Sequence, residues 1–216
     1  TAICFGSILA TLHFLEPEFN DSGHLISEYE LGRYGWLMSL AFFSLGAASI
    51  FLFHSIRNDL RGAAGSMGGW WLLLIGVAYF VAGIFYPDQS TGGLGLPINP
   101  ADFKRGAVAP TLNATFHGAA GVTVIGSSPI VFTLLRGGLR KNPEWFSAMR
   151  GINLATVATW IGLALFPISM VLYQRAQEPS GFDFRTIVSI ANRVMILTYA
   201  TWLMNCAWQK KHFASK

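Results

Sequence analysis

The chain has 216 residues, of which 52% are hydrophobic and only 12% charged, with a mean hydropathy of +0.45. Water-soluble domains carry about a quarter charged residues, so this composition excludes an ordinary globular fold and points to an all-α integral membrane protein. The net charge of +4 lies in separated segments without aromatic interleaving, which excludes a nucleic-acid partner.

Six apolar segments follow in chain order, and together they make one bundle domain over residues 1–216. The first, Thr1 to Phe14, is short and starts without a methionine, as expected for an interior point of a truncated helix. A signal peptide is the rival reading, opposed by the lack of a basic n-region and of a small-residue cleavage site before Glu16. The stretch HLISEYELGRYGW, His24 to Trp36, then crowds polar groups against the second segment, Tyr34 to His54. Ser27 and Glu30 fit a capping box for that helix, and the same stretch could instead line a pocket.

The third segment, Gly69 to Tyr86, carries Gly69, Gly76 and Gly83 at heptad spacing, and the fifth, Gly151 to Tyr173, carries Ala158 and Gly162. Small residues at such spacings let helices approach closely in lipid, so both read as packing seams. Between the third and fourth segments lies Pro87 to Pro110, a Gly- and Pro-rich stretch without periodicity that reads as an irregular loop. The fourth segment is Thr111 to Leu135 and the sixth Thr186 to Trp208. Each of the last five approaches or exceeds the roughly 20 residues that cross a bilayer.

Pro129 and Pro167 should bend their helices, with Ser127, Ser128 or Ser169 placed to serve the freed carbonyls. Trp70, Trp71, Trp145, Trp202 and Trp208 lie near one set of helix ends and read as an interfacial belt. Cys4 and Cys206 stand in apolar surroundings, with no disulfide expected and too few thiols for a zinc site.

Loop charges give the orientation. One side holds nine basic residues, Arg57, Arg61, Arg136, Arg140, Lys141, Arg150, Lys210, Lys211 and Lys216, with only Asp59 and Glu144 as acids. The other holds five, Arg33, Lys104, Arg105, Arg175 and Arg185, among nine acids: Glu16, Glu18, Asp21, Glu28, Glu30, Asp88, Asp102, Glu178 and Asp183. The positive-inside rule makes the first side cytoplasmic. Both termini are then cytoplasmic, in the inner membrane of a bacterial cell, and the His24 to Trp36 stretch lies outside.

This topology gathers the polar residues that fit least well in hydrocarbon. His13 ends the first helix, Asp88 follows the third, Asn113 and His117 open the fourth, and Asn192 and Arg193 lie in the outer part of the sixth. Asn113, His117 and Gly121 share one helical face, as do Arg185, Ser189, Asn192 and Arg193. A mid-helix arginine costs roughly 2.5–3.5 kcal/mol on insertion, so Arg193 should face a partner, with Asp88 or Glu28 the expected carboxylate. The expected ligand-binding set is therefore Glu28, Tyr29, Asp88, Asn113, His117, Asn192 and Arg193. His54 is expected at the interface, and His24 and His212 in solvent.

The stretches ISEYELGRYGWLMSLAFFSLG, GIFYPD and FHGAAG resemble a bacterial membrane family known as domain of unknown function 998. The similarity runs from about Leu25 through the sixth segment and rests on Ser27 and Tyr29, Pro87 and Asp88, and His117 and Gly118. It implies a compact six-helix bundle with a polar external end and names no reaction. The clipped first helix and the long loop after Asp88 depart from the family pattern.

Three chemistries compete for the polar end. Binding of a membrane lipid or other small amphiphile would use Arg193 and His117 as anion donors, with the apolar bundle beside the tail. A role as accessory subunit beside other membrane proteins would need only the seams and tryptophans. Membrane hydrolysis would use Ser27 as nucleophile, His117 as base and Asp88 to orient it, although no G-x-S-x-G elbow is present. His13, Asp88 and His117 are the set a metal would need, but they lack paired-ligand spacing, so no metal and no other cofactor is expected.

Overall fold

The computed structural model describes residues 2–19, 24–88, 109–175 and 184–214, and their regular structure is helical. Residues 89–108 of the long Gly/Pro loop and 176–183 before the last helix, with the charges Asp102, Lys104, Arg105, Glu178 and Asp183, lie outside the described residues. Among the described residues six α-helices follow one another: α1 (Ala2–Leu15), α2 (Gly35–Ile56), α3 (Gly62–Ile84), α4 (Leu112–Leu139), α5 (Met149–Arg175) and α6 (Phe184–Ala214). Five spans among the described residues are long and apolar enough to cross a bilayer: α2, α3, α4, and the stretches Pro143–Ser169 and Ile187–His212 at α5 and α6. The chain is a helical membrane protein. The 14 residues of α1 reach only about 21 Å at 1.5 Å per residue, short of the roughly 30 Å hydrocarbon layer.

Glycine decides how closely these helices meet. A Cβ on Gly46 of α2 would lie 2.8 Å from the Gly76 carbonyl of α3, and one on Gly83 would press on Phe43 and the Ser39 carbonyl. Gly65 and Gly138 face each other across α3 and α4, and Gly162 of α5 accommodates Met195 of α6. The heptad glycines thus form a seam, as small residues do in lipid. Gly69 differs, since its neighbours are the Leu60 and Phe53 side chains. Gly62 opens α3 at φ 76°, a left-handed conformation that glycine adopts without strain.

Three expectations are corrected. The third helix begins at Gly62 rather than Gly69, because its glycine-rich first turns register weakly as apolar. Trp145 and Trp202 are fully buried rather than interfacial. Trp202 stacks on Phe132 at 4.2 Å, and the Trp145 indole donates to Asp59 at 3.3 Å, while Trp70 and Trp208 remain exposed. Finally, the serines do not serve the carbonyls that the prolines free, which are those of Ile125 and Leu163. Ser127 donates to Thr123, Ser128 to Val124 at 2.5 Å and Ser169 to Phe166 at 2.7 Å.

Candidate functional site

SEYE does not cap α2. Residues Ile26–Leu31 form a separate 3₁₀ helix with no side-chain cap, and α2 starts only at Gly35. The carboxylate at that helix start is instead Glu16, from the end of α1, which accepts the Tyr34 N–H at 2.7 Å. An acceptor at a helix N-terminus complements its free N–H groups and dipole. Glu16 is 1% exposed, and Gly32 lies so close that any side chain there would collide with its carboxylate.

The 3₁₀ segment is fastened to α6 through backbone groups. Asn192 accepts the Ile26 N–H at 3.0 Å, and Ser189 donates to the His24 carbonyl at 2.9 Å. Arg193 donates to the same carbonyl at 2.8 Å and to the Phe19 carbonyl at 3.3 Å, with Ser189 also against its guanidinium. Tyr29, fully buried against Phe19, lies beside the Arg193 guanidinium. Burial raises the Tyr29 phenol and the neighbouring guanidinium opposes that shift.

Arg193 therefore pairs with neither Asp88 nor Glu28, and among the described residues it meets no carboxylate within 4.0 Å. The planar guanidinium, with five donors, can serve two loop carbonyls together. Glu28 accepts from His24 at 2.5 Å, so His24, whose side chain stays 38% exposed, is both solvated and tied to the cluster. Asp88 stands apart, accepting from the Thr111 N–H at 2.8 Å and its hydroxyl at 2.6 Å where α4 begins.

His117 belongs to a second group with Glu30. Its Nδ1 lies 2.7 Å from the Phe85 carbonyl and 3.1 Å from that of Ala82, both at the end of α3. Two acceptor oxygens require Nδ1 to carry the proton. Glu30 Oε2 approaches the same nitrogen at 3.4 Å, and Ser39 donates to Oε1 at 3.1 Å. The Glu30 and His117 side chains are 2% and 3% exposed, and burial pushes the Glu30 carboxyl up to about 9. Beside His117 is a cavity of about 40 Å³ bordered by Ser27, Tyr79, Asn192 and Gly121.

The proposed triad and metal set are not assembled. Asp88 binds Thr111 while α3 carbonyls orient the His117 ring, so Ser27, Asp88 and His117 form no relay. His13 bonds the Leu9 carbonyl at 2.8 Å, and among the described residues no group of three His, Cys, Asp or Glu could hold a metal. Asn113 is half-buried one turn before His117.

The opposite, basic end has a larger opening of about 920 Å³ between α1, α2 and α6. Ala2, Phe51, Leu52, Leu203 and Met204 contribute to its walls, and Ser55, Asn205, Trp208, Lys210 and Lys211 add polar or amphipathic groups. Lys210 is held by Asp59 at 2.7 Å. Lys211 has no ion pair among the described residues.

The family model described as Protein of unknown function (DUF998) matches residues 1–209. The chain belongs to this family. No curated protein and no solved structure matches it. In this DUF998 chain the residues that carried the resemblance have separate tasks. Tyr29 joins the loop clamp, Asp88 closes on Thr111, and Ser27 and His117 border the small cavity.

Glu16 and Ser39 are polar contributors missed by sequence reasoning, and Glu30 was read only through its capping-box spacing. Glu16 stood at the end of an apolar segment, a position that signals a helix terminus without revealing which one it serves.

Proposed function

We propose that this DUF998 protein binds an anionic membrane lipid in the cleft between α1, α2 and α6. The supporting observation is the cleft of about 920 Å³ with largely aliphatic walls and lysines at its basic end. Ligand sites typically measure about 300–1,000 Å³ and combine apolar walls with a few placed polar groups. Phe51, Leu52, Leu203 and Met204 suit an acyl chain. Lys211 offers a cation to a phosphate-bearing headgroup, while Asp59 restrains Lys210.

This location differs from the external pocket expected of the sequence. The cavity beside His117, about 40 Å³, is too small for an acyl chain. Asn192 and Arg193 hold loop backbone there. Under the positive-inside reading the basic end is cytoplasmic, so the cleft meets the leaflet in which anionic lipids attract basic residues.

The test places a photo-crosslinking amino acid at Leu203 of the full chain in vesicles of phosphatidylglycerol or phosphatidylcholine. The expected product is a phosphatidylglycerol adduct, reduced about fivefold by Lys211→Gln, corresponding to roughly 1 kcal/mol per basic residue near an anionic surface. Leu203→Trp with the crosslinker moved to Met204 should reduce capture by filling the cleft. Equal capture of both lipids, or crosslinking to polypeptide instead of lipid, overturns the proposal.

A further inference from the structure

Three buried polar groups toward the loop end, Glu16 Oε2 among them, have unused hydrogen-bonding capacity among the described residues. Glu30 Oε2 and the Tyr79 hydroxyl are buried without a hydrogen-bond partner among the described residues. Such groups in native proteins call for a role or an accompanying water, because an unsatisfied buried group costs about 1–3 kcal/mol. His117 lies between them in the arrangement: its Nδ1 is 3.4 Å from Glu30 Oε2, and it borders the same small cavity as Tyr79. That cavity, of about 40 Å³, exceeds the roughly 10–15 Å³ of probe-occupied space that one water needs. Most of its lining is apolar, and Ser27, Tyr79, His117 and Asn192 are the polar residues on which a water would rest.

The polar path continues beyond the cavity. Tyr79 lies against Tyr199, with ring centroids 5.3 Å apart, and Tyr199 shares a 2.6 Å hydrogen bond with Ser49. All three are buried within membrane-spanning helices. Hydroxyl, imidazole and carboxyl groups can each exchange a proton with a neighbouring water.

We propose that Glu30, His117 and Tyr79 are the fixed members of a buried proton-binding network, completed by water in the cavity that His117 and Tyr79 share. Glu30 holds the exchangeable proton. Among the described residues its surroundings supply no opposing cation to ionise it: α2 presents the Ser39 hydroxyl, α3 the Ala82 and Phe85 carbonyls, and α4 His117, whose Nδ1 proton faces those carbonyls. Of the neighbouring acids, Glu28 is engaged with His24 and Glu16 through Oε1 with the Tyr34 N–H, while Glu16 Oε2 is buried without a partner among the described residues and lies outside the His117 contact. Burial, which raises the Glu30 carboxyl to about 9, agrees with this arrangement.

Infrared spectroscopy of the full chain in vesicles tests the network, read through the C=O stretch of a protonated carboxylic acid. At pH 7 the expected band shifts in D2O, disappears as pH rises through about 9, and is lost in Glu30→Gln. Tyr79→Phe should shift the remaining Glu30 band through the shared water and His117, and Ser39→Ala should shift it by removing the Oε1 donor. The Ser39 variant also provides an assignment if Glu30→Gln does not fold. Absence of a protonated carboxyl band at pH 7 overturns the proposal, as does a Glu30 band unmoved by Tyr79→Phe.

Discussion

Arg193 shows what a single side chain can and cannot disclose through sequence. Its place on one face with Ser189 and Asn192 was legible, because residues three and four apart are neighbours on a helix. Its partners were not, because the Phe19 and His24 acceptors are backbone carbonyls, which every residue carries and no sequence pattern marks. Glu30 was concealed differently: its capping-box spacing was satisfied in sequence while its carboxyl turned to the Ser39 hydroxyl. Arg193→Met should destabilise the detergent-purified protein by roughly 3 kcal/mol, since hydrogen bonds to charged groups contribute about 1.5–3 kcal/mol each. Arg193→Lys should recover only part of that loss, because an ammonium lacks the planar fork that reaches both carbonyls. Thermal unfolding of the three proteins measures this order, and equal stability of the Lys variant and the parent would contradict the fork argument.

Helices were more legible than their ends. Continuous apolar runs revealed five spans, and heptad glycines revealed a close approach, because both properties are periodic along one element. The start of α3 was hidden by glycines that contribute little hydropathy, and the Gly65–Gly138 contact was hidden because it requires two helices in register. Contact geometry separates glycines that need their small size from those that do not. Gly46→Leu should lower thermal stability, because its first added atom already meets the Gly76 carbonyl and the Phe80 ring, each at 2.8 Å. The cost of overpacking is about 1–3 kcal/mol. Gly126→Ala meets nothing within 4 Å and should be neutral or stabilising by up to about 1 kcal/mol from helix propensity. Parallel melting curves test the contrast; similar losses in both variants would mean that the α2–α3 seam does not limit packing.

At the scale of the whole molecule, sequence separated a basic end from an acidic end, and the helix directions return the two described chain ends to the same side. Ala2 and Ile3 share the basic-end cleft with Lys210 and Lys211, whereas Glu16 meets the start of α2, Glu28 meets His24 and Glu30 meets His117 at the other end. The separation was readable because charge is counted without knowing packing; which carboxylate contacts which helix depends on folding the loop. The proposed lipid site makes orientation decisive, since an inverted protein would present Lys211 to the opposite leaflet. With Cys4 and Cys206 replaced by serine, a single cysteine within 89–109 should react with an impermeant maleimide added to intact cells. A single cysteine at Arg140 should react only after permeabilisation, because Arg140 ends α4 at the basic side and basic loops are retained in the cytoplasm. The opposite labelling pattern would place the cleft in the outer leaflet and the Glu30–His117 network on the cytoplasmic side, reversing the compartment from which its proton is exchanged.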